Sequence, residues 1–304
     1  MRFRPLGNSG MVVSAVSLIL ADSPSRPRPQ DWEALVYAAL ENGINAFEVV
    51  GRHPAIGEGL AQALQSIERR LICVTWRMGN VIGPGGQILR DFSPDGLQRA
   101  TEAILARTGF AYLDALVLDE PKADELTPAA LERLKALRAA GRTRLLAVAG
   151  EDDAIDAYIS TGAFDLLCTR YSLVSGWKER MRIRAAIDRD MGVMAYGFHP
   201  EIFQRGASLT QAPKTRLGAA PNPLAGAGTY AFLDRTPNWS REAICLAYAL
   251  TEPSLASVQI LADRPDHIQA LAEVTELDLP PGASAQIEMA RFTVTPGLER
   301  GRGA

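Results

Sequence analysis

The chain has 304 residues, 47% of them hydrophobic, and a formal net charge of −3. That is enough apolar material for one large core or two smaller ones. Charges of both signs are interspersed with no domain-sized basic face, which argues against a nucleic-acid partner. No apolar run reaches the roughly 18 residues that a membrane-spanning helix needs.

At the start, Arg2 and Arg4 precede MVVSAVSLILA, which ends in a small residue before Asp22. That arrangement has the outline of a secretory signal. Gly7-Asn8-Ser9-Gly10 interrupts it with strong turn chemistry. The preferred reading is therefore a β-hairpin, RFRPL turning through GNSG into MVVSAV, with SAVSLIL as the first long strand. Cys73, Cys168 and Cys245 each lie in an apolar stretch. An odd number of scattered cysteines predicts reduced core thiols rather than a disulfide framework. Together these features predict a cytoplasmic location.

Short apolar runs then alternate with segments of helical period. Strands are predicted at 15–20, 44–50, 71–76, 113–119, 144–149, 164–169, 192–197 and 256–261, mostly apolar as strands buried on both faces are. Helices are predicted at 31–42, 57–66, 94–108, 128–140, 152–161, 177–190, 241–251 and 265–274. In the first, Trp32, Leu35, Val36, Ala39 and Leu40 form one stripe, Asp31 starts the helix and Gly43 stops it. In 128–140, Pro128 opens the first turn and Gly141 closes the helix. Strict alternation of strand and helix predicts a closed (β/α)8 TIM barrel with an N-terminal β-hairpin. A doubly wound open sheet is the alternative, but its glycine fingerprint is missing after the first strand. The domain is expected to span 1–296 as a single unit, with 297–304 a frayed tail. Residues 205–239, rich in Gly, Ala and Pro, read as a long loop after the seventh strand.

Chemistry in such barrels sits at the C-terminal ends of the strands. Those ends carry Glu48 followed by Arg52 and His53, then Trp76-Arg77, Asp119-Glu120, Gly150-Glu151, Arg170-Tyr171, Tyr196 followed by His199, and Asp263-Arg264. Period-two alternation puts Ala46 with Glu48, Val74 with Trp76, and Val117 with Asp119. If those faces point inward, Glu48, Trp76 and Asp119 meet at the mouth. Two carboxylates there would repel and raise the pKa of at least one, unless Arg52, Arg77 or Arg170 pairs with them. Arg77, Arg170, Tyr171 and His199 are the further pocket candidates. His53, His199, Glu48 and Asp119 are ligand types that suit a divalent ion, but their spacing matches no metal motif, so no metal is expected.

The order of segments resembles the aldo-keto reductase family. RFRPLGNSGMVVSAVSL is similar to "RxLGxSGLxVSxLGLG", and ALENGINAFEVV to "AxxxGINxFDTA". DFSPDGLQRATEAILARTGFAYLDALVLDEP resembles "DFSPxGxxxSxxxSLxRLGxDYxDxxxxHDP", a form of the sugar-dehydrogenase-like branch. LERLKALRAAGRTRLLAVAG and GVMAYG resemble "LxxLxxxGKxRxIGVSN" and "GVxAYS". ICLAYALTEPSLASVQI matches the last helix and strand, so that the likeness covers about residues 1–275. The resemblance implies NADPH-dependent carbonyl reduction through a tetrad of Asp, Tyr, Lys and His.

Carried over position by position, that tetrad becomes Glu48, His53, Trp76 and Asp119. The Ser-Asn pair that grips the nicotinamide amide becomes Ala149-Gly150. The glycine after the eighth strand becomes Leu261, the basic residue for the 2′-phosphate becomes Asp263, and the Asn near the adenine becomes Leu271. Only Tyr196, the position that stacks on nicotinamide, is kept. Indole has no charge with which to tune a neighbour, and Ala and Gly side chains cannot hydrogen-bond an amide.

Three readings follow. In the first, carbonyl reduction is lost, no cofactor is expected, and the chain is a pseudo-reductase binding a small molecule or a protein partner. In the second, it is a divergent oxidoreductase using NADPH or NADH, with His53 as proton donor and Lys214 and Arg216 aiding the cofactor. In the third, Glu48, His53 and Asp119 serve a lyase, isomerase or hydrolase acting on a sugar-like substrate. Whether the chain is an enzyme at all depends on which reading holds.

Overall fold

The structure, a computed structural model, describes residues 1–204 and 230–294. β1 (Phe3–Pro5) and β2 (Val12–Ser14) pair antiparallel, Phe3 against Ser14, through the turn at Gly7–Gly10. The hairpin reading of the N-terminal segment therefore holds. Leu6 and Val13, both fully buried, join the inner core of the domain and close its lower end.

The chain then alternates strand and helix. β3 (Val16–Leu20) leads to α1 (Pro29–Glu41), β4 (Ala46–Val49), α2 (Pro54–Leu64) and β5 (Cys73–Met78). A second hairpin follows, β6 (Asn80–Ile82) with β7 (Ile88–Arg90), then α3 (Pro94–Thr108) and β8 (Leu113–Asp119). Next come α4 (Pro128–Ala139), β9 (Thr143–Ala149), α5 (Asp153–Ser160), β10 (Leu166–Arg170), α6 (Trp177–Ile187), β11 (Gly192–Tyr196) and α7 (Glu201–Gln204). A 3₁₀ turn at Tyr230–Asp234 precedes α8 (Arg241–Leu250), β12 (Ser257–Ile260), α9 (Pro265–Val274) and α10 (Ala283–Val294).

Eight parallel strands close in the order β3-β4-β5-β8-β9-β10-β11-β12, and β12 pairs back onto β3. This is the predicted (β/α)8 barrel, and closure overturns the open-sheet alternative. The helices start where the sequence supplies caps. Ser93 Oγ accepts the Gly96 N–H at 3.0 Å, Thr127 Oγ1 that of Ala130 at 3.2 Å, and Ser240 Oγ that of Ala243 at 3.0 Å. Each cap satisfies a helix donor that would otherwise be orphaned. α2 begins three residues before its predicted start, because Pro54 suits the first helical position and His53 caps it. Asp31 does not begin α1; it lies within the first turn and binds back to Arg28. The β6–β7 hairpin, α7 and α10 are elements that the apolar periodicity does not announce. Lys214, Arg216, most of the 205–239 loop and the 297–304 tail lie outside the described residues.

The barrel has two cores. Inside are Ala46, Cys73, Ala115, Ala147, Ala149 and Cys168, with a few larger residues such as Leu166 and Met194. Outside, between strands and helices, are the larger Phe47, Val74, Trp76, Leu116 and Leu118. A narrow barrel filled by side chains leaves little room for rings within it. That division decides which residues reach the mouth.

Candidate functional site

β4 turns Glu48 inward, where it is 0% exposed. β5 places Cys73 in the inner core and Val74 and Trp76 in the outer one. Alternation then carries Thr75 and Arg77 inward with Cys73. Arg77, not Trp76, is therefore the β5 residue at the mouth, and the expected Glu48–Trp76–Asp119 face does not form. The cause is steric: the indole fits against α2, where a Cβ on Gly57 would meet Trp76 Cη2 at 2.9 Å.

Arg77 joins the two carboxylates. Its Nε donates to Glu48 Oε1 at 2.5 Å and its Nη1 to Asp119 Oδ1 at 2.7 Å. Asn80 Nδ2 donates to Asp119 Oδ2 at 2.6 Å. The other Glu48 oxygen accepts from Gln259 Nε2 and, at 3.7 Å, from the Cys168 thiol. Side-chain exposure is 11% for Arg77 and 20% for Asp119. Burial by itself would lower the Arg77 pKa, but Glu48 and Asp119 outweigh it and hold the guanidinium above its ordinary range. Burial pushes the Cys168 thiol well up, and the Glu48 charge adds to this, so the sulfur stays protonated as a donor.

Tyr196 ends β11 beside this network. The guanidinium carbons of Arg77 and Arg170 lie 5.2 and 5.7 Å from its ring centroid, within cation–π range. Its hydroxyl donates to Glu151 Oε1 at 3.2 Å, and Arg170 Nε donates to the same oxygen at 2.8 Å. Burial, reinforced by the Glu151 charge, raises the Tyr196 pKa well above the ordinary phenol value.

The remaining candidates are dispersed. His53 sits exposed at the start of α2, its Nδ1 accepting the Ala55 N–H at 3.2 Å and its own N–H held by Asp22 at 2.8 Å. Among the described residues no hydrogen bond joins it to Glu48 or Asp119. Tyr171 is buried away from the mouth, stacked on Tyr248 at 6.3 Å with Arg180 over its ring. His199 lies 3.9 Å from Glu242, which also binds His267 at 3.0 Å, so it belongs to a group on α8 and α9. Burial lowers the His199 pKa, with Glu242 opposing. Among the described residues no three His, Cys, Asp or Glu side chains converge as a metal would require, and none of the helices is long and apolar enough to cross a membrane. The three cysteines are free and buried, as their apolar settings predict.

Residue reading missed Gln259, Asn80, Cys168 and Asp22. A buried glutamine in the apolar run SVQIL was the available signal, because a polar side chain inside a barrel strand demands a partner. Asn80 carried no such signal, since it lies in an unanticipated hairpin.

A nicotinamide cofactor fits these residues poorly. Ala149 is buried and has no polar side-chain atom, and the Gly150 N–H already bonds Cys168 O at 3.0 Å. Neither offers the side-chain groups that a carboxamide needs. At the positions that the resemblance would give to the adenosine end of such a cofactor, Leu261 is exposed, Leu271 is buried in the core, and Asp263 brings negative charge. A dianionic phosphate beside that carboxylate is repelled.

An eight-stranded parallel barrel with its polar cluster at the C-terminal strand ends defines the class: a (β/α)8 barrel protein. The sequence pattern of the Aldo/keto reductase family matches residues 20–291, and the chain belongs to that family. No curated protein matches it. Among solved structures it is similar to the aldo-keto reductase AKR11C1 from Bacillus halodurans in its holo form, with a TM-score of 0.75, 18% identity and 95% of each chain covered. It is also similar to the glycerol dehydrogenase AKR11B4 from Gluconobacter oxydans, with a TM-score of 0.70, 17% identity, and 97% of this chain and 96% of that one covered. At these identities the likeness is one of fold.

Proposed function

We propose that this chain is a pseudo-reductase: the aldo-keto reductase barrel is kept, nicotinamide-dependent carbonyl reduction is lost, and the protein acts by binding a small molecule or a protein partner. One observation carries the reading. The Arg77 guanidinium bonds both Glu48 and Asp119 and stacks on Tyr196. On this reading the Tyr196 ring, the position that the resemblance gives to nicotinamide stacking, is engaged instead by the chain's own cation, 5.2 Å from its centroid. Of the tetrad positions, Glu48 and Asp119 supply acceptors bound to that cation, His53 caps α2 and Trp76 packs in the outer core, so none supplies the ammonium that would tune a proton donor.

The alternatives have less support. A non-redox acid/base enzyme needs a carboxylate oxygen able to take a proton. Both oxygens of Glu48 and both of Asp119 already accept hydrogen bonds within the protein. A divergent reductase using His53 needs that ring over the mouth, whereas it caps α2 at the rim. Titration with NADPH and with NADH, followed by quenching of the four tryptophans, separates the readings. The proposal expects no saturable quenching up to millimolar cofactor. Saturable binding in the micromolar range would reject it.

A further inference from the structure

A second cleft lies outside the barrel wall. Its volume is about 250 Å3, and it is bounded by the start of α2, the end of β5, the β6–β7 hairpin and α3. Trp76, Met78, Leu97 and Ile104 give it an apolar lining, all of them buried. Gly79, at φ +102°, turns the chain from β5 into the hairpin, whose Ile82 extends this apolar surface outward with 60% exposure.

The rim is cationic. Arg52 and Arg107 both line the cleft, and neither guanidinium forms an ion pair among the described residues. The acid at the rim, Asp91, is occupied: it accepts from Ser93 Oγ at 2.5 Å and lies 3.7 Å from Arg99. Arg77, which also reaches the lining, is committed to Glu48 and Asp119. Because His53 Nδ1 accepts a backbone N–H, its Nε2 carries the hydrogen in the neutral ring and is a donor at the same rim with no hydrogen-bond partner among the described residues.

We infer that this cleft binds a small organic anion with a flat apolar body and a single carboxylate. The apolar lining buries the body, and the Arg52 and Arg107 forks hold the charge. The volume suits one or two rings and is too small for a dinucleotide. This site goes beyond the pseudo-reductase reading and does not depend on it; Arg77 and Asn80 reach its lining, but its anion holders, Arg52 and Arg107, take no part in the Arg77 network.

The test is isothermal titration of the full chain with 2-naphthoate and with 2-naphthamide, its neutral isostere. The wild type is expected to bind one naphthoate, at least about tenfold more tightly than the amide, with the preference shrinking as salt is raised. R52A/R107A, which alters a half-buried and an exposed rim side chain, is expected to abolish the preference for the acid while leaving amide binding in place. W177A, on α6, is expected to change neither. Equal affinity for acid and amide, an undiminished preference in R52A/R107A, or no naphthoate binding at millimolar concentration would each overturn the inference. NADPH titration reads the mouth independently. A chain that binds NADPH and naphthoate loses the pseudo-reductase reading and keeps this site, and one that binds neither does the reverse.

Discussion

The two ends of the barrel hold carboxylates by opposite charge ratios. At the lower end one buried acid, Asp114, meets two arginines: Arg69 at 2.6 Å and Arg144 at 3.4 Å. The Val74 N–H adds a third bond at 2.8 Å, and both guanidiniums lie over the Tyr112 ring. Burial raises the Asp114 pKa, with Arg69 opposing. At the mouth two acids share one arginine, Arg77. The lower cluster is over-neutralised and redundant, as a stability device at a barrel's N-terminal face should be. The mouth is under-neutralised, with a single cation holding both acids. The difference is that both mouth acids depend on one side chain, and that two acids against one arginine leave the cluster with negative charge, which on the proposed reading disfavours a phosphate-rich cofactor.

The largest expected effect follows from that dependence. R77M leaves Glu48 buried without its cation and is expected to destabilise the fold by roughly 3–5 kcal/mol. Urea unfolding of R77M, E48Q and the double variant measures it. The double variant should recover much of the loss, and simple additivity would mean that the pair is not coupled. By contrast R144M, which leaves Arg69 on Asp114, is expected to cost about 0–1 kcal/mol. Equal losses for R77M and R144M would break the comparison between the ends.

A smaller effect concerns the barrel interior. Ser17 and Ser257 point hydroxyls there that have no protein partner among the described residues. S257A removes one buried orphan and is expected to leave stability unchanged or raise it by up to about 1 kcal/mol. A clear loss in thermal unfolding would mean that an ordered water satisfies the group.

The smallest effect is a pH dependence beside the cleft. Arg90, on the β6–β7 hairpin, donates to both Glu125 oxygens at 2.6 Å. That hydrogen bonding lowers the Glu125 pKa to about 2. An unfolded Glu titrates near ~4.3, so the contact contributes fully above that value and is lost as the pH falls toward 2. Hydrogen-exchange protection across residues 80–90 should therefore fall on acidification through this window, and E125Q should abolish the pH dependence. Protection that does not change with pH in the wild type would show that the hairpin is held by other contacts.

The fold was legible in the sequence because each signal is local. Gly7–Gly10 marks the first turn, Pro128 and Gly141 bound a helix, and eight apolar runs alternate with eight amphipathic stretches. The second hairpin was not legible, because VIGPGGQIL places apolar residues on an exposed ribbon. Glu48 and Asp119 were recognisable as strand-end acids. The choice between Trp76 and Arg77 was not, because a strand buried on both faces has no polar alternation to fix which parity points inward. Interior volume decides it, and volume is a property of the closed barrel.

The central claim is that Arg77 closes the mouth against a nicotinamide cofactor. The most direct measurement is the NMR signal of the Arg77 Nε–H, assigned by comparison with R77K and followed during NADPH addition. The account predicts a resonance that exchanges slowly with solvent and does not move at millimolar NADPH. A signal that exchanges freely, or one that shifts saturably with cofactor, would contradict it.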